Sequence, residues 1–289
     1  MSTLILFNVT NGLIIGAFYV LMALGLSLIL NLSGVINFAH GGFLTLGGYV
    51  AFTLSAYIGF WGALIVAPFI VAILGVVLER TMIRWLYGRD PLYSLLLTFG
   101  LAFMIEDGSR WYWGPQGLPV TIPPILSQPL SSSFFFITGY RLFMVAVAAG
   151  VILGLFCFLR YTRLGLRIRA GTLDLDTVSS LGVNVRLLRS FNFGLGIFLA
   201  GLSGVLAGGQ LGLIPTMGST LLMPSFIAII VGGVGSLPGT LVGGLLIGVA
   251  AGVTTVFWPS ASEAVMYVLM GVVLLVRPRG LFGEEGMMS

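Results

Sequence analysis

Lysine is absent from all 289 residues, and every one of the 13 basic side chains is arginine. That absence excludes an ordinary P-loop, whose lysine must reach the terminal phosphates of a nucleotide. It equally excludes a Schiff base to retinal or pyridoxal phosphate, and with it a light-driven pump. Cysteine and histidine occur once each. Cys157 alone forms no intrachain disulfide and no Cys-based metal cluster; inside an apolar run, it reads as a buried, inert thiol. His40 alone cannot supply the His-rich ligand set of a zinc or haem site. No nucleophile–base pair stands out, so neither a catalytic residue nor a metal site is expected. Charge of both signs is also scarce, at 8% against about 25% in soluble chains.

Hydrophobic residues fill the space, making up 58% of the chain. They gather into about nine runs: 4–30, 36–57, 61–83, 92–112, 141–160, 190–211, 221–235, 238–257 and 263–276. Most approach the roughly 20 residues that cross a bilayer as a helix. Inside lipid the backbone must satisfy itself, and a helix does so within one segment. The ten-residue alternation of a spanning barrel is missing. The sequence therefore predicts an all-α, polytopic membrane bundle of about 8–9 transmembrane segments, some broken by glycine or proline, in one domain over 1–289. The first run has no preceding positive charge and no small-residue cleavage site, so it reads as a retained span. The run 221–235 is short and interrupted by glycine, a candidate broken helix.

Arginines cluster at run ends, which makes the net charge of +4 a topology signal rather than a nucleic-acid one. Arg80, Arg84 and Arg89 follow the third run. Arg160 ends the fifth run and Arg163, Arg167, Arg169, Arg186 and Arg189 fill the loop at about 161–189, while Arg277 and Arg279 follow the last run. The positive-inside rule makes these three places cytoplasmic, with the carboxyl terminus inside. On the other side lies a proline-rich loop at about 114–139, introduced by Trp111-Tyr112-Trp113, a set suited to the membrane interface. Its prolines predict an extended, stiff connection, either a docking surface for an external partner or a plain connector. Glycines at four-residue spacing (12 and 16; 204 and 208; 244, 248 and 252) make smooth stripes for close helix approach.

The loop sequence RLGLRIRAGTLDLDTVSSLGVNVRLLRS (163–190) predicts a short helix over 172–182. Thr172 is its expected N-cap, with Asp174 and Asp176 in the first turn where acids complement the helix dipole. Gly182 ends it at the C′ position, and Leu173, Thr177 and Leu181 share one face. A helix this short is marginal alone in water. Either it lies on the lipid surface or it seats in a groove of a cytoplasmic partner, and its acidic first turn favours the partner. Glu79, Glu106, Asp107 and Glu263 all fall near run ends, so the midplane acids of ion-coupled carriers are not evident. Glu106 and Arg110, four residues apart, read as an interfacial ion pair. A transporter with this inventory draws its drive from a separate subunit. The alternative is a self-contained channel or facilitator for a small neutral solute such as urea or an amide.

Four stretches carry a resemblance: GVINFAHGGFLTLGGYVA (34–51), LGVNV (181–185), GGVGSLPGTLVGG (232–244) and RPRGLFG (277–283). In this order they resemble the inner-membrane permease of branched-chain amino acid ABC importers. The resemblance implies a non-catalytic subunit in a bacterial-type inner membrane. It implies a second permease subunit, similar or identical, two cytoplasmic ATPase subunits that carry ATP and Mg, and a periplasmic substrate-binding protein. No cofactor and no nucleic acid are implied for this chain. The 172–182 helix would be the coupling helix, with Thr172, Asp174, Asp176, Leu181 and Gly182 as its candidate residues. The chain departs from the common family pattern at Gly42 and at Thr177-Val178-Ser179-Ser180.

Polar residues within the first and third stretches complete the expectations. Asn37, His40 and Thr45, beside Gly41-Gly42, would be expensive facing lipid and so face the bundle interior or a broken-helix end. With Ser236 they are candidates for the translocation path. For His40 a structural hydrogen bond at a helix break is the competing role.

Overall fold

Helix appears wherever the apolar runs lie. The computed structural model describes residues 2–132 and 135–283, and its eleven α-helices in chain order follow the expected runs closely. They are α1 (Ser2–Ser33), α2 (Ala39–Thr81), α3 (Pro91–Trp113), α4 (Pro124–Ser127), α5 (Gly139–Tyr161), α6 (Arg163–Leu173), α7 (Leu175–Ser180), α8 (Val185–Leu211), α9 (Met217–Gly232), α10 (Leu237–Phe257) and α11 (Val265–Val276). The chain is thus a helical membrane bundle. Helices α1, α2, α5, α8 and α10 are long and apolar enough to cross a bilayer, while α9 and α11 are shorter apolar helices.

Helix α2 explains how two expected runs became one element. Its 43 residues would span about 64 Å at 1.5 Å per residue, twice a hydrocarbon core of about 30 Å. It is kinked at Gly59, whose φ of 70° and ψ of 173° lie outside the helical region. Glycine adopts that conformation without a Cβ clash. Two arms of spanning length result.

The proline-rich connection is more structured than its composition predicted. Pro124–Ser127 forms one helical turn, and β1 (Pro129–Ser132) pairs antiparallel with β2 (Phe135–Thr138) in the register Pro129↔Thr138 to Ser132↔Phe135. Pro129 sits at the first position of its strand, where a missing N–H is tolerated. Trp111 and Tyr112 are exposed, as an interfacial set would be, but Trp113 turns inward. It stacks on Tyr49 with ring centroids 4.9 Å apart, and its Nε1 donates to Thr53 Oγ1 at 3.0 Å.

Contacts divide the chain into two compact units, one of residues 1–24, 121–149 and 220–289, the other of 25–120 and 150–219. In the first, two of the glycine stripes meet. A Cβ on Gly12 would strike the Gly248 carbonyl, and one on Gly248 would strike the Gly12 carbonyl. Gly252 sits against Asn8 in the same way. The carboxyl-terminal stretch returns to α9, with Leu281 N–H donating to Val231 O and Phe282 N–H to Gly232 O, both at 2.9 Å.

In the second unit α2 and α8 form the core pair. Gly204 leaves room for the Leu44 carbonyl, and Gly47 packs on Gly201. Around them lie fully buried Phe43, Tyr49, Phe193 and Ile197. Close backbone approach of this kind is how helices associate where lipid removes the hydrophobic drive.

Candidate functional site

Between Ser33 and Ala39 the chain leaves the helix, and the freed backbone groups need partners. Thr98 of α3 supplies them. Its Oγ1 accepts from Phe38 N–H and donates to Ile36 O, each at 3.1 Å. Asn37 is fully buried in this break, and neither its Oδ1 nor its Nδ2 has a hydrogen-bond partner among the described residues. His40 follows on the first turn of α2, also fully buried. Its Cε1 lies 3.1 Å from where a Cβ on Gly25 of α1 would stand, and that Cβ would be 2.6 Å from the Gly196 carbonyl of α8. The imidazole is therefore lodged against the crossing of α1 and α8.

Thr45, one turn on, is committed to the backbone: its Oγ1 accepts from Gly218 N–H at 3.0 Å. A Cβ on Gly218 would strike the Gly41 carbonyl, so α9 begins against bare backbone. Gly42 faces α3, 3.2 Å from Ile105 Cβ measured at its own absent Cβ. Asn37, His40 and Thr45 thus share the 25–120/150–219 unit. Ser236 belongs to the other unit, where its Oγ accepts from Gly239 N–H at 3.1 Å and caps α10.

The arginine-rich loop differs from its expected form in one respect. Instead of a helix over 172–182 there are two, α6 and α7, with the junction at Asp174. Thr172 is not the N-cap; it lies in the last turn of α6, where its Oγ1 donates to Arg169 O at 2.7 Å. Asp174 caps α7. Its Oδ1 accepts from Asp176 N–H at 2.9 Å and Thr177 N–H at 3.0 Å, while Oδ2 accepts from Thr177 Oγ1. Aspartate binds the first-turn donors as well as threonine and adds a charge that the helix terminus favours, so the carboxylate wins the cap. The side-chain bond from Thr177, then its backbone N–H, holds the Asp174 carboxyl below its ordinary value. Gly182 ends α7 at C′ as its position predicted. Its φ is 82°, its N–H donates to Ser179 O at 2.9 Å, and Val183 N–H reaches Val178 O. This is the Schellman pattern. Val178 turns into the protein, whereas Leu173 and Leu181 are each 77% exposed and Thr177 is exposed between them. The break at Asp174 puts Leu173 on α6 and Thr177 on α7, so the single helical face expected for them is divided.

A third constellation escaped the sequence reading. Glu79, expected only as an acid near a run end, is 0% exposed. Arg84 forks onto it, Nε to Oε1 at 3.3 Å and Nη2 to Oε2 at 3.2 Å. Ser190 Oγ donates to Oε2 at 2.6 Å, and Tyr87 OH donates to Oε1 at 3.1 Å. The Arg189 guanidinium stacks 4.6 Å over the Tyr87 ring. Burial, and after it the Glu79 carboxylate, raise the Tyr87 phenol above its ordinary pKa, so it remains a donor. The five-residue step from Glu79 to Arg84 was the available signal; Ser190, 111 residues away, gave none. By contrast, Arg110 pairs with Glu106 as its spacing predicted and also reaches Asp107 at 3.1 Å. Cys157 is not buried as its apolar run suggested; it is exposed on α5.

Long apolar helices, a break lined by buried polar side chains and an exposed two-helix loop rich in arginine define a multi-pass membrane protein. Comparison with known proteins narrows the class. Residues 8–276 match the family described as branched-chain amino acid transport system / permease component. LivH, a high-affinity branched-chain amino acid transport system permease protein of Escherichia coli, is 31% identical, over 95% of this chain and 94% of its own. BraD of Pseudomonas aeruginosa, described in the same words, is 32% identical over 96% and 95%. LivM of Escherichia coli, likewise a permease protein of such a system, is 28% identical over 91% of this chain and 67% of its own. The chain belongs to the branched-chain amino acid transport system permease component family.

Proposed function

We propose that this permease carries branched-chain or similar hydrophobic amino acids inward, driven by ATP hydrolysed on separate cytoplasmic subunits that hold the nucleotide and Mg. The solute would be delivered by a periplasmic binding protein, and the permease would pair with a second permease subunit in the inner membrane. The relatives' descriptions support the solute class. The similarity to both LivH and LivM of one organism supports a mixed pair. The observation that carries the energy source is α7: a six-residue helix, too short to persist unaided, presents Thr177 outward, with Leu173 and Leu181 exposed just beyond its two ends, in a chain without a P-loop lysine. Such a face fits a groove in an ATPase subunit. Within the permease, Asn37, His40 and Thr45 of one unit and, separately, Ser236 of the other are the proposed path residues. A buried amide left without a partner costs about 1–3 kcal/mol, and Asn37, which has none among the described residues, bears that cost if no solute or water ever meets it.

Purification of the assembly with its ATPase, followed by uptake of labelled leucine into proteoliposomes, tests this reading. ATP-dependent uptake is expected; uptake that proceeds without ATP would instead identify a facilitator.

Topology is proposed as nine crossings, with α2 counted twice at its Gly59 kink and α3, α9 and α11 included. Single cysteines near Arg84, Gly171 and Arg279, placed in a Cys157→Ser background because Cys157 is exposed, should react only from the cytoplasm. One near Ser132 should react only from outside. Labelling of Ser132 and Gly171 from the same face would overturn the crossing count.

A further inference from the structure

The buried Glu79 cluster stands at one end of an unbroken run of contacts that begins in the α6–α7 loop. Gly171 of α6 has no side chain, and the space its Cβ would take is closed by Leu32 of α1, Leu175 of α7 and Leu188 of α8, at 2.8, 3.3 and 3.6 Å. The elbow between α6 and α7 therefore rests directly on the first turns of α8. Leu188 is followed by Arg189, stacked on Tyr87, and by Ser190, bonded to Glu79. Helix α8 itself starts at Val185, with Asn184 Oδ1 accepting from Leu187 N–H at 3.0 Å. Only a short turn closed by Gly182 separates it from α7. Glu79 in turn belongs to the last turn of α2, whose other end carries His40.

We propose that Glu79 is a positioning residue for energy coupling: it locks the start of α8 to the end of α2, so that displacement of α7 by its partner is transmitted along α8 to the first arm of α2, which α8 packs against and which carries His40 and Thr45. The proposal rests on the reading of α7 as the ATPase-docking helix. Its physical basis is the cost of any alternative arrangement. A carboxylate with no exposed surface needs Arg84 and its hydroxyl donors in place, because a buried charge stripped of its partners is strongly disfavoured. The start of α8 and the end of α2 therefore cannot part gradually; the cluster is either assembled or broken. A plain core residue would not impose that choice.

Proximity alone does not establish coupling, and a double-mutant cycle does. The assembled transporter is reconstituted with Tyr87→Phe, Ser190→Ala and Glu79→Gln, each alone and each with Asp176→Asn. Uptake per ATP hydrolysed and thermal stability are measured. Tyr87→Phe and Ser190→Ala each remove one donor and leave the Glu79–Arg84 pair, so they preserve a testable complex if Glu79→Gln fails to assemble. The expected result is a fall in uptake per ATP of roughly 2- to 30-fold, with double variants no worse than the weaker single one. Loss of thermal stability with uptake per ATP unchanged would make the cluster merely structural and overturn the proposal. Effects that simply multiply with those of Asp176→Asn would also overturn it, leaving the docking role of α7 intact. Normal coupling in the Asp174→Arg/Asp176→Arg variant would remove the docking role and this proposal together.

Discussion

Arginine at both position 174 and position 176 is expected to abolish leucine uptake while ATP hydrolysis by the assembly continues. Two effects act in the same direction. Asp174 is the cap of α7, accepting from the N–H groups of Asp176 and Thr177, and an arginine accepts nothing. Asp176 adds a negative charge to the first turn, and a cation there opposes the helix dipole. The surface offered to the partner thus loses both its shape and its charge. Asp174→Asn separates the two, since asparagine caps a helix as well as aspartate does; it should retain most uptake if the cap is what matters. The carboxyl of Asp174 is held below its ordinary value, so its contribution is complete above the unfolded value of about 3.9 and disappears only as pH falls through the lower, folded one. Coupling should therefore not vary between about pH 5 and 8 on account of this residue. Normal uptake and hydrolysis in the double arginine variant would refute the docking role.

The second large effect is expected at the helix break, where stability and transport should move in opposite directions. Asn37 is buried with an amide that has no partner among the described residues, so Asn37→Leu, nearly the same size, removes a desolvation cost of about 1–3 kcal/mol. The variant should assemble, melt higher and transport poorly. His40 gives the complementary test. A neutral imidazole both donates and accepts, and so does a glutamine side chain. His40→Gln should keep much of the uptake, whereas His40→Leu should slow transport in a complex that still forms. If His40→Leu instead prevents assembly, its place against the α1–α8 crossing is its whole role. An Asn37→Leu protein that melts lower would show that its amide bonds within the folded protein through water, and would end its candidacy as a path residue.

Much of this was legible in sequence because bilayer thickness fixes helix length and scarce polar residues stand out against an apolar background. The runs 92–112, 141–160 and 238–257 correspond to α3, α5 and α10 within a few residues. Gly182 could be assigned because the end of a helix demands φ > 0. Other features depended on competition or distance. Thr172 and Asp174 are both good caps, and only the folded loop shows that α6 runs on through Thr172. The Glu79 cluster needed Ser190, brought across from another helix, and no local pattern announces such a partner. The proline-rich loop misled for a related reason: proline sets φ but does not forbid a strand that it begins.

The glycine stripes of α1 and α10 have a mechanical consequence. Where Gly12 and Gly16 meet Gly244, Gly248 and Gly252, backbone lies on backbone with no layer of side chains between. Small sliding motions of packed helices rely on side chains that shift within a shared interface, and at Gly12, Gly16, Gly248 and Gly252 the nearest neighbours are backbone atoms. A carbonyl would have to ride over a Cα for either helix to advance along the other. Through a transport cycle this segment of α1 and α10 should travel as a single strut, and the bending must be taken up where the helices already break.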